Sequence, residues 1–388
     1  MSEQNLSFFS EIKRIKTQIG LPKIYRYLAV IKRLDKTVTG SGFSVNEEQS
    51  IMGAMGEAIE RYCASIEPNT KKEAEDKIEK IQINSITRAS TKYDYVSKRK
   101  WTEVQELTSL EEKLVPIELV YLYKVNYPPI RDIISTGLAA YITLEGAVTR
   151  GLCECIERDA FMLFWMLSQI NFKVNIHTID KGEIKILINK AYNSGLELEV
   201  YDISTEFEVP VILTITKKRG KEGFYISCAA NFDYDMAIKK SLEEGLGGYS
   251  VYSEATLVHN HPIPDDLSKV KNLSERPIYY LNKNQDELLS DIIERSGIPI
   301  QPKNYNDIRK EKPTLNKVIR LLNKNKINVY FKDLTTPDVC KLGYKVARVI
   351  TPELAFLPIG EPMLYCNRLI QKSQELDRNY NLKPHPFP

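Results

Sequence analysis

Two short segments of this 388-residue chain carry the same arrangement of charges. Glu57-Ala58-Ile59-Glu60-Arg61 and Glu154-Cys155-Ile156-Glu157-Arg158 both read E-x-I-E-R. On a helix, glutamates three apart and an arginine four after the first share one face. Two such helices brought together would offer Glu57, Glu60, Glu154 and Glu157 to a divalent metal. Arg61 and Arg158 would then face phosphate. Mg2+ prefers oxygen ligands, usually one or two carboxylates plus phosphate oxygens, and arginine grips phosphate through paired hydrogen bonds. The competing reading is two solvated faces with ordinary i,i+4 ion pairs, worth only ~0.3–0.5 kcal/mol each. Repetition of the triad in one helical frame weighs against it. So does Asp159, which falls inside the apolar stripe of the second helix. A carboxylate there is costly unless paired, so a buried arginine or a set of helix-end amides is expected beside it.

Other chemistries find less support. There is no GxxxxGK[ST] and no GxGxxG after a strand, so a nucleotide site would be of another type. The six cysteines (63, 153, 155, 228, 340 and 366) are dispersed without a CxxC. That pattern predicts reduced thiols in a cytoplasmic protein, not a zinc ribbon or disulfide frame. His259 and His261 flank Asn260 ahead of two prolines, and read as loop histidines without a metal. Basic and acidic residues nearly cancel, 54 against 51, so charge points to neither nucleic acid nor an acidic membrane. The N-terminus lacks the apolar core of a signal peptide, and no run is long enough to span a bilayer.

The elements that must position these residues follow from periodicity. Residues 1–20 read as a helix ending at Gly20, and 24–34 as a strand. Thr39-Gly40-Ser41-Gly42 reads as a tight turn. Asn46 with Gln49 makes a capping-box start, predicting a helix to about Ser65 with Ile51, Met55, Ala58, Ile59 and Tyr62 inward and Glu57, Glu60 and Arg61 on the opposite side. The charged run KKEAEDKIEKI (71–81) reads as a surface helix. Thr143 is the expected N-cap of a second long helix reaching about Gln169. Strands are expected over 196–203, 209–218, 223–230, 327–334 and 344–350, a helix over 236–252, and a loop over 258–277. A second echo links Tyr201-Asp202-Ile203-Ser204-Thr205 with Lys332-Asp333-Leu334-Thr335-Thr336, each ahead of a strand. Together the echoes suggest an old internal duplication. The class is α/β, mixed sheets packed by long helices.

Three stretches resemble the YcaO family. They are GSGFSVNEEQSIMGAMGEAIERYCAS, STGLAAYITLEGAVTRGLCECIERDAFMLFW and VYFKDLTTPDVCKLGYKVARVITPELAFLPIG. The resemblance spans roughly residues 35–388 and implies a YcaO domain over 35–375. An N-terminal helix and strand (1–34) would precede it and a proline-rich tail (376–388) follow. The end, Pro384-His385-Pro386-Phe387-Pro388, matches the P-x-P-x-P terminus of azoline-forming members. Alternating prolines hold such a tail extended, and a tail that lines a cleft could deliver the Pro388 carboxylate to a reacting amide.

The resemblance implies ATP and Mg2+ as cofactors. Glu57, Glu60, Glu154 and Glu157 would hold the metal, with Arg61, Arg158, Glu57 and Glu154 at the nucleotide. It implies cyclodehydration of a ribosomal precursor peptide: a Cys, Ser or Thr side chain attacks the preceding carbonyl, and ATP carries the oxygen away as phosphate. A leader-peptide-binding partner protein and a flavin dehydrogenase are implied partners, and a homodimer is a further expectation. Some positions depart from the family pattern. Gly53 replaces a usual Ser, Ile142 and Gly146 replace N-x-x-x-E, and Gly247 and Val251 stand for Q-x-x-x-R. Two alternatives remain: thioamide or amidine formation, and a nucleotide-poor docking protein without catalysis.

Overall fold

The computed structural model describes residues 7–16, 20–67, 78–88, 99–257, 262–267, 270, 273–299, 301–308, 311–359 and 362–387. Among the described residues, three sheets and the helices between them make the fold. β1 (Glu11–Arg14), β2 (Tyr25–Arg33) and β3 (Lys36–Ser44) form an antiparallel sheet, on which α1 (Glu47–Ser65) packs. β4 (Trp101–Glu106), β5 (Glu112–Pro116) and β6 (Leu138–Tyr141) follow, then α2 (Leu144–Leu167), β7 (Phe172–Asn175) and α3 (Gly182–Asn193). A meander of β8 (Leu196–Asp202), β9 (Val211–Lys218) and β10 (Phe224–Ala230) leads into α4 (Tyr234–Leu257). The remainder is α5 (Glu275–Asn282), α6 (Asp286–Arg295), β11 (Lys303–Asn304), α7 (Tyr305–Ile308), α8 (Leu315–Lys324), β12 (Tyr330–Asp333), α9 (Pro337–Lys341), β13 (Lys345–Ile350) and α10 (Asn367–Leu376). The second sheet has the order β10-β9-β8-β7-β11, and the third β5-β4-β12-β13-β6.

The long helices begin where their caps require. Asn46 Oδ1 accepts the Gln49 N–H at 3.1 Å, and Thr143 Oγ1 accepts the Gly146 N–H at 3.1 Å. Gln49 does not complete the capping box. Its side chain instead accepts from Lys239 Nζ at 2.9 Å, tying α1 to α4.

Several expectations are corrected. Residues 11–14 are a strand, β1, not helix, because their backbone pairs with β2 from Glu11–Val30 to Arg14–Tyr27. Thr39–Gly42 is not a turn. β3 runs straight through it, and the glycines serve close packing: a Cβ on Gly40 would lie 2.2 Å from Ala58 N, and one on Gly42 2.0 Å from Ser50 O. The turn comes earlier, where Leu34 and Asp35 adopt φ of 49° and 57°. The loop expected over 258–277 ends early, since α5 starts at Glu275. The helix expected over 71–81 falls mostly outside the described residues, as do the histidine pair and Pro388. Nor does the tail merely line a cleft. His385 is 2% exposed and Phe387 4%. Trp165 Nε1 donates to Lys383 O (2.8 Å), and the Tyr280 hydroxyl donates to Pro384 O (2.6 Å).

The echoes have a structural counterpart. Asp202 Oδ1 accepts the Ser204 N–H, and Asp333 Oδ1 the Thr335 N–H. Each hydroxyl, Ser204 Oγ and Thr335 Oγ1, then accepts an N–H of the next strand, from Val211 and Val346. More broadly, three strand–helix units, β3–α1, β6–α2 and β10–α4, close a cycle. Glu60 of α1 accepts the Ala140 N–H of β6 at 2.7 Å. Glu157 of α2 accepts the Ala230 N–H of β10 at 2.9 Å. Glu243 of α4 accepts the Val45 N–H, just beyond β3, at 3.1 Å. Each helix thus satisfies an N–H at the end of the next unit's strand, a group that sheet pairing leaves open.

Candidate functional site

The two E-x-I-E-R motifs lie within electrostatic reach of each other: Glu154 of α2 acts on Glu60 of α1, and Glu60 reaches β6, the strand that leads into α2. On α1, Glu57 Oε2 accepts the Ser41 N–H at 2.5 Å and its Oε1 lies 2.6 Å from Arg61 Nη2. Arg61 Nη1 also donates to Thr39 O at 2.9 Å. On α2, Glu154 Oε2 accepts the Gly137 N–H at 3.1 Å, and Arg158 lies 3.4 Å from both Glu154 Oε1 and Glu157 Oε1. The i,i+4 ion pairs of the bland reading therefore exist; Glu57–Arg61 is partly exposed, and Glu154–Arg158 is more enclosed. Glu157 is buried, and Glu60 is half-buried between α1 and β6 instead of standing opposite the apolar stripe.

This crowding has an electrostatic cost. Desolvation pushes the Glu157 carboxyl up to about 7; Arg158 opposes that shift and Glu154 adds to it. Glu60 is driven well above the usual carboxylate range by burial, against the Ala140 N–H, with Glu154 and Glu57 adding like charge. Burial alone would weaken the Arg158 charge, yet Glu157, Glu154 and Glu244 raise its pKa above the ordinary arginine value. Arg158 Nε is buried without a hydrogen-bond partner, and Nη1 makes only the 3.4 Å ion pair with Glu157.

Asp159 is fully buried and meets the expected arginine. Arg368 Nε donates to Asp159 Oδ2 at 2.7 Å, and Ala355 N–H donates to its other oxygen at 3.0 Å. Arg368 also holds Glu206 through two hydrogen bonds (2.9 and 3.2 Å), which hold that carboxyl down to about 2 against the cost of burial. The adjacent residues Arg158 and Asp159 thus face different ways, one to the site and one to α10.

The tail returns to the same place. The Arg158 guanidinium carbon lies 4.3 Å from the centre of the Phe387 ring, a cation–π contact, and Phe387 also packs edge-on against Phe161. His385 Nε2 is 2.6 Å from Arg276 Nη1, and Arg276 donates to Pro358 O and Ile359 O.

Sequence reading placed a helix over 236–252 but did not bring its charged residues into the site. Glu244 and Lys240 of α4 act electrostatically on Glu157 and Arg158. Equal spacing from strand end to glutamate (Ser44 to Glu57, Tyr141 to Glu154, Ala230 to Glu243) marks the third unit but leads to Glu243, which caps Val45, and not to Glu244 or Lys240. Two departures from the family pattern are closed by aromatic rings. A Cβ on Gly146 would lie 2.0 Å from the Tyr141 ring, and one on Gly247 2.5 Å from the Phe43 ring.

Among the described residues, no three carboxylates, histidines or cysteines surround one point as a ready metal cage. Mg2+ does not need one, since it keeps waters and shares phosphate oxygens. Desolvated carboxylates with raised pKa beside an arginine with an orphaned Nε–H fit a cation and an anion arriving together.

A family model described as YcaO cyclodehydratase, ATP- and Mg2+-binding, matches residues 41–355. An uncharacterized protein of Methanothermobacter thermautotrophicus is 27% identical over 231 residues, 56% of this chain and 58% of that protein. The chain spans about half the length of the curated relatives it matches. A solved heterocyclase in complex with substrate and cofactor has a TM-score of 0.76 at 19% identity, covering 98% of this chain and 55% of that one. YcaO from Methanopyrus kandleri, bound with AMPPCP and Mg2+, has a TM-score of 0.65 at 17% identity, covering 99% and 92%. At such identities the structural likeness is one of fold. The family match, which runs across most of the chain, makes this protein a member of the YcaO family.

Proposed function

We propose that this protein is an ATP- and Mg2+-dependent cyclodehydratase that converts Cys, Ser or Thr residues of a ribosomal precursor peptide into azolines. The observations that carry the reading are that Glu154 of the second motif acts on Glu60 of the first, and that Arg158, paired with Glu154 and Glu157, packs against Phe387 of the tail. Glu57, Glu60, Glu154 and Glu157 would hold Mg2+, each already oriented by a backbone N–H. Mg2+, when bound, neutralises phosphate charge. Arg158 would use its orphaned Nε–H on a phosphate oxygen, and Arg61 would orient Glu57 and meet nucleotide. The ring of Phe387 shields Arg158 from water on one side. The tail would set the Pro388 carboxylate within reach of the amide to accept its proton. The peptide, a leader-binding partner protein, a flavin dehydrogenase that oxidises the rings, and a homodimer belong to the same proposal.

The test is incubation with ATP, Mg2+ and a precursor peptide, read by mass spectrometry. Loss of one water per ring supports the reading. A sulfur-for-oxygen change would indicate thioamidation instead. Glu57→Gln and Glu157→Gln should each abolish the modification and the accompanying phosphate release, with folding unaltered; near-parental turnover in either would sink the metal assignment. The docking reading draws on the Phe43 and Tyr141 rings, which fill space where family members usually carry longer polar side chains. Unmodified peptide that nevertheless binds the protein would favour it.

A further inference from the structure

The start of the C-terminal tail borders a groove that the reaction proposed above does not use. It measures ≈ 960 Å³ and is lined by α5, α6 and residues 380–384 of the tail. The other cavity that the tail borders, among Met162, Trp165 and Met166 of α2, is only ≈ 30 Å³. The tail is thus packed on its α2 side and open towards α6. Its backbone shows the same division. Trp165 and Tyr280 donate to the carbonyls of Lys383 and Pro384. The Leu382 N–H and C=O have no partner among the described residues, and its side chain is 53% exposed. Leu267 and Leu288, both half-buried, add apolar surface to the groove. Charge comes chiefly from α6. Asp291 and Glu294, exposed and three apart, line the groove together, and neither pairs with a cation among the described residues. Asp266 adds a third acid. Of the two cations, Arg295 is turned to Asn379 O at 2.6 Å, and Lys383 belongs to the tail wall. Glu294 stands in the last turn of α6, where open carbonyls disfavour an acid, so helix stability does not explain it.

A groove with apolar patches, an acidic wall and an open backbone edge is suited to an extended peptide: main-chain hydrogen bonds give affinity, and side-chain contacts choose the sequence. The tail that forms its wall continues to Phe387, which stacks on Arg158, so the groove and the candidate site share one border. We propose that this groove is a subsite for the substrate peptide. It takes an extended stretch with a lysine or arginine against Asp291 and Glu294, and an apolar side chain beside Leu267 and Leu288. The inference rests on the peptide-substrate reading above and deepens it by naming what the peptide must carry. Leu382 and Phe387 are five residues apart, ~15 Å at the rise of an extended proline-rich chain. A peptide running beside the tail therefore places its basic residue about five residues from the Cys, Ser or Thr that reacts.

The probes are fluorescein-labelled peptides with one Cys and, about five residues away, either a Lys-Leu or a Glu-Leu pair. Binding to the full chain is read by fluorescence anisotropy without ATP. The parental protein should prefer the Lys-Leu peptide roughly tenfold, and added salt should erode that preference. Joint reversal, Asp291→Lys with Glu294→Lys, should invert it. The thermal midpoint should be unchanged or higher, because these acids make no ion pair. Asp291→Asn with Glu294→Gln should fall between, and carries the test if the reversed protein does not fold. A parental protein that does not discriminate, or a reversed one that binds as the parent does, overturns this inference; loss of water from the peptide in mass spectrometry would still uphold the reaction. Discrimination by the parent, inverted in the variant, without any change of peptide mass in ATP and Mg2+ keeps the groove as a peptide site and overturns the reading of the reaction. A reversal that leaves peptide binding alone but splits a dimer in sedimentation gives the groove to a second copy of the chain, and overturns the inference too.

Discussion

Arg158 and Asp159 are neighbours in sequence with opposite tasks, and separate substitutions should show it. Asp159→Asn leaves the Arg368 guanidinium buried without its nearest partner, Oδ2 at 2.7 Å. Breaking such a buried pair costs ~3–5 kcal/mol. The denaturant midpoint should fall accordingly; an unchanged midpoint would mean that Asp159 is not paired in solution. His385 offers a pH test. Burial, and then the Arg276 charge, hold its pKa well below the ordinary histidine value, with Arg158 contributing further off. The unfolded chain therefore binds this proton more readily than the folded one. The His385 contribution is whole above about pH 6.5 and declines as pH falls below it. Parental and His385→Asn proteins should be compared by thermal midpoint from about pH 7.5 down to pH 5. The parental advantage should shrink over that range. A constant gap would show that the imidazole is not held neutral.

Among the elements, the C-terminal tail differs most from its sequence appearance. A run of alternating prolines looks like a dispensable strap. In the fold its carbonyls accept from Trp165 and Tyr280, and Phe387 fills space beside Phe161. Deleting residues 384–388 should therefore lower the thermal midpoint as well as abolish ring formation, so truncation alone would not isolate a role for the carboxylate. Adding one residue after Pro388 is the cleaner probe. It keeps Phe387 in place and moves the carboxylate by up to ~3.5 Å. Stability should hold while ring formation drops, with ~10²-fold losses plausible for misplacement on the ångström scale. Parental rates in the extended protein would remove the terminus from the mechanism.

At the scale of the whole molecule, the cyclic contacts among α1, α2 and α4 bind three sheets into one body. Glu243→Ala removes the acceptor of the Ser44 hydroxyl and the Val45 N–H. An unsatisfied buried donor costs ~1–3 kcal/mol, and amide exchange at Val45 should accelerate more than at Ala140, which Glu60 still caps. Equal exchange at both positions would argue against the cycle. Local sequence alone determined much of this protein. Asn46 and Thr143 announced their helices through side-chain geometry, and β-branched alternation marked β8, β9 and β10. The repeated E-x-I-E-R singled out four carboxylates that the fold sets against backbone N–H groups, and the stripe position of Asp159 called for the arginine found there. Tertiary structure decided the rest, because those outcomes depend on partners far along the chain. Gly40 and Gly42 read as a turn until the backbone of α1 supplies the reason for their missing side chains. Residues 11–14 pattern as helix, yet β2 offers them an edge to pair with. Glu60 points to a strand end 80 residues away, and Phe387 reaches back to Arg158. Glu244 carries no motif at all. Only the packing of α4 brings its charge to bear on Glu157 and Arg158, since a helical period fixes which residues share a face but not what that face will meet.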